Sequence, residues 1–166
     1  MKHIVHKLFM KSACLSKKNM DDKDRLILNI LQKDGRMTAS EVAEHVALSI
    51  PTVTERIRKL VDGGVIQEFR AVVNAKEVGY DVTAYILMDM SSSDHYTDVI
   101  DHAQETDEVL ECHSITGEGS HILKVRTQDT SSLEALLREI QAWPGVIRTH
   151  TMIVMSTFKE ATRLKM

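Results

Sequence analysis

Residues 38–64 read TASEVAEHVALSIPTVTERIRKLVDGG, and this stretch decides the fold of the first half of the chain. Thr38-Ala39-Ser40-Glu41 is a capping box, in which the threonine hydroxyl and the glutamate carboxylate satisfy backbone donors that a helix start leaves unpaired. Val42, Ala43 and Val46 behind it predict a short helix with a narrow apolar face. After Ala47-Leu48, Ser49 can cap a further helix, and Pro51 is tolerated in its first turn because an N–H there has no helical acceptor. Val53, Ile57 and Leu60 recur at i, i+4 and i+7, so that side is predicted to face a core, and Gly63-Gly64 stops the helix. Two helices joined by a turn of three to four residues make a helix-turn-helix.

Upstream, acids crowd the start of a segment from Asp21 to Asp34, favoured there by the helix dipole, and Ile27, Leu28 and Leu31 share one side. Gly35 is expected to end this helix, which supplies the third member of a small bundle. Residues 1–19 read differently and are expected to be a basic, disordered N-terminal extension. Downstream, Val65 to Val73 is β-prone and is expected to lead out of the module. The domains predicted are therefore 20–73, a linker at 74–81, and 82–166.

The region from Val82 has another rhythm, β-α-β-β-α-β. An apolar strand at Val82–Met90 precedes a helix with Tyr96, Val99, Ile100 and Ala103 at i, i+3, i+4 and i+7. Strands near 108–116 and 121–127 flank the hairpin Gly117-Glu118-Gly119-Ser120. A second helix is expected to start at the capping box Ser131-Ser132-Leu133-Glu134, with Leu133, Leu136, Leu137 and Ile140 inward, and Pro144-Gly145 breaks it. A final β-branched strand runs from Val146 to Thr157. This order predicts a ferredoxin-like, four-stranded antiparallel sheet with both helices on one face. Both phases of its strands carry apolar residues, Ala84, Ile86 and Met88 on one side and Tyr85 and Leu87 on the other, so the second face calls for a cover, expected to be a second subunit.

The chain has 166 residues with 21 Lys plus Arg against 24 Asp plus Glu, a net charge of −3. That total argues against a nucleic-acid partner until it is divided: 1–19 carry +5, 20–80 carry −1 and 81–166 carry −7. Within the near-neutral module, the core takes Val53, Ile57 and Leu60 from the last helix and leaves Thr52, Thr54, Glu55, Arg58 and Lys59 to solvent. From Ile50 to Leu60, Arg56, Arg58 and Lys59 stand against Glu55 alone, a local basic face. No apolar run reaches membrane-spanning length and no signal-peptide core is evident, which predicts a cytoplasmic protein with no membrane partner. Cys14 and Cys112 form no CxxC, and the sequence lacks nucleophile-elbow, zincin, P-loop and dinucleotide signatures. No catalytic residue, metal ligand or cofactor is therefore expected, and Glu111, Cys112, His113, His121 and His150 show no metal-ligand spacing.

From Met20 onward the residues resemble the Lrp/AsnC, or feast/famine, transcription regulators. Asp21-Asp22-Lys23-Asp24, Ile27-Leu28 and Leu31 resemble the family's opening helix. Gly35-Arg36, Glu41, Ala43, Leu48-Ser49, Val53, Arg56-Ile57, Leu60 and Gly64-Val65-Ile66 follow its winged-type helix-turn-helix. Thr116-Gly117, Leu123-Lys124-Val125, Pro144-Gly145-Val146 and Thr149 resemble its effector-binding and oligomerisation domain. The resemblance implies an α+β chain that binds double-stranded DNA in a sequence-specific way, assembles as a homodimer and up to an octamer, and answers to a small effector such as an amino acid.

On that reading Ser49, Thr52 and Thr54 reach phosphates or base edges, and Arg58 and Lys59 contact phosphates. Arg56 is placed with them, and is equally suited to pairing inside the module. The effector set is Gly117, Glu118, Gly119 and Ser120. There the chain departs from the family's usual form, with Ser120 and His121 where an acid and then an aromatic are expected. The alternative is an amino-acid sensor with no DNA role, which would leave the pattern from Ser49 to Leu60 without a task.

Overall fold

The computed structural model describes residues 20–166, so the expectation for 1–19 lies outside the described residues. Contacts divide the chain into two compact units, one ending at Val72 and including Ala161–Met166, the other spanning Val73–Glu160. The second domain expected from the sequence, 82–166, includes those last six residues.

The first unit holds three helices, α1 (Asp22–Leu31), α2 (Ala39–Val46) and α3 (Ile50–Asp62). Their apolar stripes meet in a core of Ile27, Leu28, Val42, Ala43, Val46, Val53 and Leu60, all buried, with Ile57 and Ile66 at its rim. Burial of each large side chain contributes about 1.5–3 kcal/mol, which three short helices without this contact would lack. Thr38 closes its capping box with Glu41, and Ser49 accepts from the Thr52 N–H, both as expected. Asp21 and Asp24 make a further capping box that the sequence reading did not name.

Two local expectations shift. α1 ends at Leu31, before Gly35; there the Gln32 amide caps the turn and its side chain exchanges two hydrogen bonds with the Leu164 backbone, at 2.7 and 3.2 Å. Val65–Val73 forms no strand: no described neighbour offers this unit a ladder, and Val72 is 91 % exposed. β-propensity alone does not make a strand without a partner edge.

The second unit is β1 (Val82–Met90), α4 (Tyr96–Glu105), β2 (Val109–Ser114), β3 (His121–Thr127), α5 (Thr130–Gln141) and β4 (Val146–Ile153). The sheet runs β2-β3-β1-β4 with every neighbouring pair antiparallel, the expected ferredoxin-like order. Ala84, Ile86, Met88, Leu123 and Val125 pack under Val99, Ala103, Leu133, Leu136, Ile140 and Trp143. α4 turns slightly from its expected face, since Ile100 is left 41 % exposed while Val99 and Ala103 are buried. α5 begins earlier than its capping box suggested, because Asp129, not Ser131, accepts from the Ser132 N–H at 2.7 Å.

Register assigns the other face. Leu87 pairs with Ile122 and His150, and Tyr85 with Lys124 and Met152, so this surface is a mixture of apolar and charged groups, and among the described residues no helix lies over it.

Candidate nucleic-acid interface and effector cleft

The turn between α2 and α3 is tight because Ala47 adopts a left-handed conformation, φ 51°, ending α2 where the Ala47 N–H still reaches Ala43 O. That conformation costs an L-residue about 1–2 kcal/mol, and it aims α3 across α2. The outer side of α3 then presents the residues singled out in the sequence, but in several distinct states.

Ser49 and Thr52 bond to each other through their hydroxyls at 2.8 Å, and both are exposed. Thr54 donates its hydroxyl hydrogen to Ile50 O at 3.0 Å. Arg56 is turned inward: one guanidinium nitrogen donates to Asp24 at 2.7 Å and to Asp21 at 2.9 Å, joining α3 to the start of α1. Of the two roles open to Arg56, the structure realises pairing inside the module. These carboxylates hold its pKa above the usual arginine value.

Arg58 is outward but not free. It lies 2.8 Å from Glu55 and 3.0 Å from Asp62, while Lys59 is 3.6 Å from Glu55. All are exposed pairs, which strong phosphate charge can rearrange at small cost. A concavity of about 820 Å³ beside α3 is lined by Asp21, Asp24 and Glu55 together with Thr52, Arg56 and Lys59. Three carboxylates there offset the Arg56 and Lys59 cations, so the exposed outer side of α3 that carries Arg58 is the better anion surface.

In the second unit, the Gly117–Ser120 hairpin turns through left-handed glycines, φ 104° at Gly117 and 79° at Gly119. At Gly119 a Cβ would sit 3.3 Å from both Leu87 Cδ2 and Met88 O, while at Gly117 it would meet nothing within 4 Å. Ser120 is held by β1, its N–H donating to Met88 O at 2.8 Å and its hydroxyl to the same oxygen at 3.1 Å. Ser120 thereby locks the hairpin to the sheet.

His121 is buried with its ring edge-on to Tyr96 at 4.6 Å, and burial pushes its pKa down, which keeps it neutral. A neutral imidazole thus fills the aromatic site on the helix side of the sheet. On the other side, Glu118 and Gly119 line a cleft of about 190 Å³ with Leu87, Asp89, Arg148 and His150. Arg148 lies 2.8 Å from Asp89 across the β1–β4 pair. The sequence reading missed Asp89, Arg148 and His150 as neighbours of the hairpin, since only strand register brings them there. Carboxylates and a guanidinium around a small cleft suit a zwitterion, with one end for an ammonium group and one for a carboxylate.

Among the described residues, no group of three His, Cys, Asp or Glu side chains gathers as a metal site, and no helix is long and apolar enough to cross a membrane. Burial pushes the Cys112 thiol pKa up, away from the reactive thiolate.

A three-helix module that displays α3, followed by a ferredoxin-like unit with a zwitterion-sized cleft, is the build of a ligand-responsive DNA-binding regulator. The family model for winged helix-turn-helix DNA-binding matches residues 20–67, and that for the Lrp/AsnC ligand binding domain matches 83–164. The chain belongs to the Lrp/AsnC family of transcriptional regulators.

It is 38 % identical over 146 residues to the HTH-type transcriptional regulator FL11 of Pyrococcus abyssi, covering 88 % of this chain and 96 % of that one. It is 35 % identical over 150 residues to the leucine-responsive regulatory protein of Escherichia coli, with 89 % and 92 % covered. A transcriptional regulator of Neisseria meningitidis in complex with L-methionine superposes with a TM-score of 0.83 at 28 % identity, covering 88 % of this chain and 96 % of that one. A feast or famine regulatory protein of Mycobacterium tuberculosis complexed with L-methionine does so at 0.83 and 33 %, covering 88 % and 99 %.

Proposed function

We propose that this regulator binds double-stranded DNA as a homodimer or a larger homo-oligomer, laying one α3 from each of two copies into successive major-groove turns, and that an amino acid held at the Glu118–Arg148 cleft modulates it. The observation that carries the reading is the division of labour on α3: its inner side is fixed to the module through Val53, Leu60 and Arg56, while Ser49, Thr52, Arg58 and Lys59 remain outward. Ser49 and Thr52 share one hydroxyl–hydroxyl bond, so one hydrogen remains for a phosphate or base acceptor. Arg58 and Lys59 supply phosphate charge, multiplied by each added copy.

The sheet face carrying Tyr85, Leu87, Ile122 and Met152 supports self-association, because it is half apolar and no helix of the described residues lies over it. Glu118, Asp89 and Arg148 are the polar contacts for the amino acid, Gly117 and Gly119 shape the hairpin, and Ser120 positions it. The two relatives solved with L-methionine make that amino acid the first to try. The task is regulation and not catalysis, performed in the compartment that holds the DNA.

The test is in vitro selection of duplexes from a random pool with the full chain, followed by anisotropy titration with and without L-methionine and each other amino acid. A discrete selected sequence whose affinity shifts with one amino acid is expected. Recovery of no discrete sequence would leave the chain an amino-acid sensor without a DNA task.

A further inference from the structure

α3 opens on an unusual pair. Ile50, its first residue, is 49 % exposed, and Thr54, one turn later, is also exposed. Isoleucine gains nothing from helix propensity over many other residues, and here it contributes little to the core, whose α3 members are Val53 and Leu60. Positions i and i+4 share a helix face, so Ile50 and Thr54 stand side by side. Pro51 beside them is exposed too, which makes the amino-terminal end of α3 an apolar tip on a face that turns polar at Glu55 and Arg58.

The Thr54 hydroxyl is already committed. Its single hydrogen goes to Ile50 O at 3.0 Å, so it has none to donate to a phosphate, a guanine or a thymine oxygen, all of which are acceptors. What the side chain offers outward is its methyl. In the major groove the one apolar group on a base pair is the thymine 5-methyl, and threonine methyls and aliphatic side chains are suited to it.

We propose that Ile50 and Thr54 read thymine 5-methyl groups, and so supply sequence preference where Arg58 and Lys59 supply sequence-independent phosphate charge. This rests on the reading that α3 enters the major groove. It gives Thr54 a different task from the hydrogen bonding expected of its residue type, and adds Ile50, which charge and polarity do not single out.

Deoxyuridine differs from thymidine by that methyl alone, which makes it the direct probe. A duplex selected by the full chain is resynthesised with deoxyuridine at each thymine in turn, and affinities are measured by anisotropy. Loss of affinity of roughly three- to fivefold is expected at one or two positions in each half-site, the scale of one buried methyl group. Thr54→Ser, which keeps the hydroxyl and removes the methyl, should abolish discrimination at one of those positions. Thr54→Val, which does the reverse, should retain it, and Ile50→Ala should abolish discrimination at the other.

Equal affinity for thymine and uracil duplexes would overturn the proposal while leaving DNA binding intact, and would free Ile50 as a contact for another protein. Discrimination that persists in both Thr54→Ser and Ile50→Ala would overturn it as well. Selection of no sequence at all would remove the major-groove reading, and this proposal with it.

Discussion

Arg56 and Asp24 are joined by a 2.7 Å hydrogen-bonded ion pair, and Asp21 meets the same guanidinium nitrogen at 2.9 Å. This ties the helix expected to face DNA to the first turn of α1, at a point where Asp21 and Asp24 are also closing that helix's capping box. One cationic side chain from the middle of α3 therefore serves the start of α1 and the packing of the two helices.

Arg56→Ala should lower unfolding stability in urea by about 1 kcal/mol, the usual worth of a hydrogen bond to a charged partner at a part-exposed site. Asp24→Asn should cost less, and the double variant should lose less than the sum, since the two act through one contact. DNA affinity per folded molecule should hardly change. A tenfold loss of affinity with stability intact would instead place Arg56 on a phosphate.

Arg58 and Lys59 are restrained by Glu55, whose own pKa is held below its usual range by the Arg58 guanidinium first, and then by Lys59. Replacing both cations with alanine should weaken binding to all duplexes alike and reduce the slope of log affinity against log salt by about two per α3. Glu55→Gln should act in reverse. It removes a negative charge from the DNA face and releases both cations, so affinity should rise severalfold in low salt and less in high salt. Gel-shift titrations across a salt series decide both.

What the sequence made legible follows from period and caps. The 3.6-residue spacing of Val53, Ile57 and Leu60, the capping box at Thr38 and the N-cap at Ser49 placed α2 and α3, and the alternation in Val82–Met90 placed β1 with its register-defining faces. The unread parts depend on distant groups. Arg56 could be assigned only once Asp24 was known to sit across from it, thirty-two positions away in the chain. Asp89 and Arg148 meet through strand pairing, Leu164 reaches Gln32 from the far end of the chain, and Thr54's engaged hydroxyl is a rotamer fact. Val65–Val73 shows the converse, a local propensity with no described partner edge to realise it.

Ala47 offers a test of local strain. Its φ of 51° is one that glycine adopts without a Cβ penalty, and nothing in the sequence marked it, since alanine favours helix. Ala47→Gly should raise stability by a few tenths to about 1 kcal/mol, the relief of strain exceeding the added freedom of the unfolded chain. Chemical denaturation with an unchanged m-value is the measure. A loss of stability would mean that the alanine methyl contributes more to the turn than its strain costs.

Acid should loosen the fold through its helix caps. Asp129 accepts from the Ser132 N–H first and then its hydroxyl, Glu41 from the Thr38 N–H, and Asp21 from the Asp24 N–H; each is held below its usual pKa. A carboxylate with a lowered folded-state pKa stabilises the fold above its unfolded value, and that contribution disappears as pH falls through the folded one. Stability should accordingly decline between about pH 5 and pH 3. Asp129→Asn keeps an acceptor at the cap but does not titrate, so its unfolding free energy should fall less steeply over the same interval. Equal slopes for the two proteins would exclude Asp129 as a contributor.

The two hairpin glycines separate backbone strain from close packing, and with it shape from chemistry in the effector cleft. Gly117→Ala meets open space and carries only the conformational cost of φ 104°, so the protein should fold with a loss of about 1 kcal/mol. Gly119→Ala adds to a similar cost a methyl 3.3 Å from Leu87 Cδ2 and Met88 O, the same carbonyl that Ser120 uses to lock the hairpin. It should therefore lose more stability and displace Glu118 from Arg148 across the cleft. If the cleft takes an amino acid, calorimetric binding of L-methionine should survive Gly117→Ala within a fewfold, and fail in Gly119→Ala and in Arg148→Ala. Arg148→Ala leaves both glycines and Ser120 in place, so loss of binding there would reflect the missing guanidinium and not a misfolded hairpin. Undiminished binding in Arg148→Ala would move the carboxylate contact elsewhere.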